Sequence, residues 1–238
     1  MNLCRKISLS IVISLISMKS IAALNVAVSS NFKVSAEYIA EQFSQQYDVK
    51  VNISSASTST LYQQILHGAP FDLFLSADQK HVQQLIDELQ LAEHAFIYAQ
   101  GRLVFWKPVI SRVPTLQDFS NYEGRLAIAN PKFAPYGIAA KETLETIKKW
   151  EMQEYVKGNN INQTYQFVDS HNVQAGLVSY AAVVQKKQTN YVLIPKEWHK
   201  PLIQSGIVLA ADNRNAQLFK QYLQSKVIQH YIKSQGYI

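Results

Sequence analysis

Apolar runs with the period of a strand alternate with amphipathic stretches of helical period, and this order restricts the fold more than any other feature. ALNVAV (23–28) is a strand candidate and VSAEYIAEQFSQQY a helix candidate. VKVNISSAS alternates Val49, Val51 and Ile53, the period of a strand. STLYQQILHG reads as a short helix ended by Gly68, and FDLFLSA as the next strand. DQKHVQQLIDELQL follows as a helix, with Asp78 as its cap and Val82, Leu85, Ile86 and Leu89 on one face. Strand then helix, repeated, predicts an α/β fold with a mostly parallel sheet covered on both faces.

The repetition breaks at RLVFWKP (102–108), an apolar strand that runs into a Pro-containing loop instead of a helix. This predicts a crossing into a second lobe that holds RLAIANPKFAPYGIAAKETLETI, QTYQFV and AGLVSYAAVV. GIVLAAD (206–212) marks the return, and AQLFKQYLQSKVIQHYI is expected as one last amphipathic helix on the first lobe. The expected division is a leader at 1–22, a first lobe at 23–103, a second lobe at 104–204 and a return segment at 205–238. Two crossings imply a cleft between the lobes. Periodicity alone also permits one continuous α/β domain.

The leader is read from Arg5 and Lys6, the short apolar segment from Ile7 to Met18, and the small residues of Ser20-Ile21-Ala22. Cleavage is expected near Ala22 or Ala23; a retained membrane helix would need a longer run, not one interrupted by Lys19. The leader carries three basic residues and no acidic one, so the exported chain keeps half of the formal charge of +6. So small a surplus, without a basic run after the leader, gives no argument for nucleic acid, and no nucleic-acid partner is expected. The single cysteine, Cys4, leaves with the leader, so the mature chain has no disulfide.

The strand-to-helix junctions carry the chemistry. They read Ser29-Ser30-Asn31, Ser54 to Thr60 with six hydroxyls in seven residues, Ser76-Ala77-Asp78, Asn130 to Gly137, and Gly158 to Asn162. Small polar residues there satisfy the orphan N–H groups of a helix start. The same N–H groups also hold anions, and loops after strand C-termini border the ligand crevice of an open parallel sheet. No Asp or Glu lies in the capping stretches at 30, 58, 136 and 161. That suits a fully ionised oxyanion, which needs donors at every oxygen and no acceptor facing it.

Five strings carry a family resemblance: VAVSSNF (26–32), ASTSTL (56–61), GAPFDLFLSAD (68–78), NPKFAPYG (130–137) followed by AAKETL, and QTYQFV (163–168). Over about residues 24 to 238 the chain resembles the periplasmic molybdate-binding proteins of ABC importers, within the type II periplasmic binding proteins. The resemblance implies a two-lobed fold with a hinged inter-lobe cleft that encloses molybdate or tungstate. It implies no cofactor, a monomer in the periplasm, and a membrane permease as partner. By position it assigns ligand contacts to Ser30, to Asn31 as in one branch, to Thr58 by hydroxyl and N–H, and to the backbone N–H groups of Tyr136 and Ile161. Ser57 and Ser179 are secondary candidates. Another branch places a ligand-binding tyrosine where this chain has Ser179; Tyr180 lies one place later, on the opposite face if the strand continues.

Other chemistry is thinly represented. His67, His81, His94, His171, His199 and His230 show no zinc-ligand spacing. A secreted hydrolase built on a junction serine would want a nucleophile elbow and a base, and the sequence shows neither. Asp72 and Asp78, flanking a strand, suit cap and turn roles. Phe133 and Tyr136 are candidates for the cleft wall, and another tetrahedral oxyanion such as sulfate stays open beside molybdate.

Overall fold

The computed structural model describes residues 23–238; the expected leader lies outside the described residues. Two five-stranded sheets form. The first contains β1 (Leu24–Ser29), β2 (Val51–Ala56), β3 (Leu73–Ser76), β4 (Phe96–Gly101) and β10 (Leu202–Val208), in the order β2-β1-β3-β10-β4. The second contains β5 (Leu103–Trp106), β6 (Leu126–Ala129), β7 (Tyr155–Gly158), β8 (Ala175–Ser179) and β9 (Tyr191–Leu193), in the order β7-β6-β8-β5-β9. Three strands of each sheet run parallel: β1 pairs in parallel with β2 and β3, and β6 with β7 and β8. The remaining pairings, of β10 with β3 and β4 and of β5 with β8 and β9, are antiparallel.

The helices are α1 (Lys33–Tyr47), α2 (Thr58–Leu66), α3 (Lys80–Leu89), α4 (Leu116–Ser120), α5 (Pro135–Thr146), α6 (Ile161–Asp169), α7 (Tyr180–Gln185), α8 (Arg214–Leu223) and α9 (Lys226–Ser234). Strand alternation decides which helix covers which face. Val26 and Val28 pack with Ile39 and Phe43 of α1 and Phe219 of α8, whereas Ala27 packs with Leu61 of α2 and Leu85 of α3. In the second sheet Phe105 joins Ala140 and Leu144 of α5, while Val104 and Trp106 join Tyr165 and Val168 of α6. Each of the buried Val, Leu, Ile and Phe side chains among these contributes on the order of 1.5–3 kcal/mol of transfer free energy, and the alanines less.

Leu103 already pairs with Ser179 in the second sheet, and Leu202 to Gln204 already pair with β4 in the first. The last helix is two helices. Ser225 accepts the Ile228 N–H and caps α9, as its local side-chain bonding favours over a helix interior. α6 starts at Ile161, two residues before QTYQFV, because the Asn160 side chain caps it through the Gln163 N–H at 2.9 Å. Asp78 accepts the His81 N–H at 3.0 Å although α3 begins at Lys80. Gly68 takes a left-handed φ of 81° after α2, as its place past a helix end requires.

Candidate functional site

Between the two sheets lies a small cavity with about 10 Å³ of free volume, lined by Ser29, Ser30, Asn31, Ser57, Thr58, Ala77, Ala134, Pro135, Tyr136 and Ile161. All five primary candidates of the sequence, Ser30, Asn31, Thr58, Tyr136 and Ile161, meet there. The topology explains why. β1, β2 and β3 end on the same side of the first sheet, since they run parallel, and β6 and β7 end on the facing side of the second. Three helix N-termini therefore converge. Thr58 and Ile161 are the first residues of α2 and α6, and Tyr136 is the second of α5. First-turn N–H groups have no acceptor within their own helix, and the dipole end is positive.

The lining carries no ionisable acid or base other than the Tyr136 phenol. That phenol lies behind the cavity against Gly101, where an added Cβ would collide with its oxygen. Burial raises its pKa, with an opposing effect from the Gln204 hydrogen bond, and it stays neutral at physiological pH. Lys33 pairs with Glu37 on the surface, and Lys132 lies in an outer groove.

A relay of hydroxyls fills the floor. Ser29 Oγ and Thr58 Oγ1 are 2.7 Å apart, and the Ala77 N–H donates to Ser29 Oγ at 3.0 Å and to Thr58 Oγ1 at 3.3 Å. Two hydroxyl protons are present and only one is needed between them, so one is free to donate into the cavity. Thr58 does not cap α2. Ser57 does, accepting the Thr60 N–H at 3.3 Å and bonding Thr60 Oγ1 at 2.6 Å. Ser179 ends β8 and caps α7 through the Ala182 N–H at 3.3 Å. It lines an adjoining cavity that shares Ser30, Asn31 and Ile161 with the main one. Tyr180 starts a helix instead of continuing the strand, and its ring faces Arg102 and Tyr191.

The lobes are in contact around the site. The Ser59 N–H donates to the Phe133 carbonyl at 3.2 Å, and Gln185 Nε2 donates to Ser35 Oγ at 3.0 Å. Phe133 is half-exposed at the cleft mouth and Tyr136 is buried. Ser29, Ala77 and Gln204 were not among the candidates. Ser29 and Ala77 stand inside junctions that the sequence does display; Gln204 shows only as a polar residue within an apolar strand, LIQSGIV.

One expectation needs correction. Ser59 does have a base partner: its Oγ lies 3.0 Å from His81 Nε2, and His81 Nδ1 lies 2.8 Å from Asp78 Oδ2. Helical spacing hid the pair, since α2 and α3 meet only in the fold. The geometry resembles a catalytic triad but lacks an oxyanion hole on α2. The Ser59 N–H goes to Phe133, and the Thr60 and Leu61 N–H groups go to Ser57. Asp78 at the same time caps α3, so the chain of bonds clamps α2 to α3. Asp72 likewise ties a turn, accepting from the Asn25 N–H at 2.7 Å and Asn213 Nδ2 at 2.9 Å.

Comparison with known proteins agrees with this architecture. The family model of bacterial extracellular solute-binding proteins matches residues 24–238. The molybdate-binding protein ModA of Azotobacter vinelandii is 35% identical over 228 residues, covering 91% of this chain and 90% of that protein. ModA of Rhodobacter capsulatus is 31% identical over 218 residues, covering 89% and 86%. The solved structure of the Azotobacter vinelandii periplasmic molybdate-binding protein superposes with a TM-score of 0.83 at 29% identity, covering 90% of this chain and 98% of that one. The chain belongs to the family of bacterial extracellular solute-binding proteins, which bind solutes and are not enzymes.

Proposed function

We propose that this solute-binding protein captures molybdate or tungstate between its lobes in the periplasm and, as a monomer, delivers it to the membrane permease of an ABC importer. The observation that carries the reading is a small, uncharged cavity lined by residues of both lobes, onto which three helix N-termini converge. The relatives that are 35% and 31% identical bear the name of molybdate-binding proteins. In this reading Ser30, Asn31 and Thr58 hold the anion from the first lobe. The backbone N–H groups of Tyr136 and Ile161 hold it from the second. Ser57 and Ser179 act as helix caps, and Ser29 and Ala77 support Thr58 from behind.

The physical logic is replacement of water by fixed donors. A dianion leaving water loses strong hydration, and helix-start N–H groups already aimed at one point restore hydrogen bonds without reorganisation. Donors from both lobes make binding and closure one event, and opening removes the Tyr136 and Ile161 contacts together, which releases the anion to the permease. Hydrogen phosphate carries a proton that wants an acceptor, and no carboxylate lines the cavity. Competition titration of molybdate, tungstate, sulfate and phosphate tests the substrate. Molybdate and tungstate are expected to displace the other two. Sulfate winning by a wide margin would replace the named substrate while keeping the oxyanion class.

A further inference from the structure

Behind the cavity lies a buried polar cluster. Gln204 is fully buried in the middle of β10, an apolar strand. Its Oε1 accepts from Asn31 Nδ2 at 3.0 Å and from the Tyr98 hydroxyl at 3.0 Å, and its Nε2 donates towards the Tyr136 hydroxyl at 3.5 Å. Tyr98 also reaches the Ser76 carbonyl at 3.0 Å, and the Tyr237 hydroxyl donates to the Asn31 carbonyl at 2.7 Å. Burying an amide in a strand costs free energy unless every polar atom is paired, and here the pairs are made to one cavity residue from each lobe.

We propose that Gln204 is a positioning residue for anion capture: it fixes the amide of Asn31 and ties it to Tyr136 across the hinge. The inference rests on the assignment of Asn31 and Tyr136 to the anion site. An Asn amide has a donor side and an acceptor side of nearly equal shape. Left alone, Asn31 can turn its oxygen to an incoming anion, which is repulsive. Gln204 Oε1 accepts from Asn31 Nδ2 while Gln204 Nε2 faces Tyr136, so a flipped Asn31 would set its oxygen against another oxygen, and this holds the Asn31 amide one way round. The single Tyr98 hydroxyl proton is shared between Gln204 Oε1 and the Ser76 carbonyl of β3, and Gly101 leaves room for Tyr136 to approach. Gln204 lies beside the crossing at Gly101–Leu103, so the same amide senses whether the second lobe has closed.

The phenols of Tyr98 and Tyr136 face Gln204, and Tyr237 faces Asn31; burial raises all three pKa values, so none of them titrates near neutrality. This makes Gln204→Glu a clean probe. A protonated carboxyl mimics the amide, whereas an ionised one places negative charge one residue from the anion. Isothermal titration with molybdate should show parent affinity flat from about pH 5.5 to 8.5 and Gln204→Glu affinity falling steeply as pH rises. Gln204→Leu should weaken binding about tenfold or more at every pH. Tyr98→Phe keeps the ring and should weaken binding less, in the same direction, and it serves if either Gln204 variant fails to fold. A lowered melting temperature with parent-like affinity and a flat pH profile would overturn the inference. If the parent itself binds no tetrahedral oxyanion, the site assignment fails instead.

Discussion

Thr58→Val separates a ligand contact from a structural hydroxyl. Valine keeps the β-branched shape and removes only the oxygen. Capping of α2 is untouched, because Ser57 performs it. The Ala77 N–H keeps its shorter bond to Ser29 Oγ, at 3.0 Å against 3.3 Å to Thr58. The folding cost is therefore one hydrogen bond between neutral hydroxyls, about 1 kcal/mol. The binding cost is larger. The Ala77 N–H donates to both oxygens, more closely to Ser29; in the proposed relay Ser29 donates to Thr58 over 2.7 Å and Thr58 turns its own proton to the anion. Each bond polarises the next, and the last one ends on a charged oxygen. Losing it should weaken affinity by roughly 1.5–3 kcal/mol, about tenfold to more than a hundredfold in Kd. Calorimetric titration with molybdate reads the affinity and thermal unfolding reads the fold. A folded Thr58→Val protein that binds as tightly as the parent, with Ser29→Ala losing affinity instead, would show that the relay runs the other way and refute this reasoning.

Three further outcomes follow from the same geometry. Ser57→Ala should lower stability by about 1 kcal/mol, seen in the unfolding midpoint, and leave anion affinity within about twofold, since its hydroxyl caps α2. Gly101→Ala places a methyl against the Tyr136 hydroxyl and Gln204 Nε2, so it should cost about 1–3 kcal/mol of stability and impair closure, read by scattering as a smaller ligand-induced compaction. Burial raises the pKa values of Tyr98, Tyr136 and Tyr237 above the usual 10.0. The unfolded chain then loses protons that the folded one keeps, so stability holds below about pH 10 and falls above it; a melting temperature constant between pH 9 and about 11 would contradict that.

Much of the fold was legible because both of its signals are local. Strand alternation at Val26-Ala27-Val28 and Val49-Val51-Ile53, and helix starts marked by Ser57 and Asn160, need only neighbours in sequence. The junctions that gather at one edge were legible because parallel strands bring them there, but which of their residues contact an anion came from the family resemblance and remains the proposal. What was hidden depends on pairing across the chain. Ser59 and His81 meet because α2 packs on α3, and Gln204 acquires a role only when β10 inserts beside β4 and the second lobe lays Tyr136 against it. The division of the final helix at Ser225 was written in a residue that favours caps, but amphipathic period runs through it and masked the break.

The central claim is that the cavity between Thr58, Asn31, Tyr136 and Ile161 is where the anion sits. A crystal grown with tungstate gives the position directly from anomalous scattering. The account predicts one strong peak per chain, within hydrogen-bond reach of the Thr58 hydroxyl and of the Tyr136 and Ile161 N–H groups, with both lobes closed on it. A peak in the outer groove beside Ser59, His81 and Lys132, with the inner cavity holding only water, would contradict it.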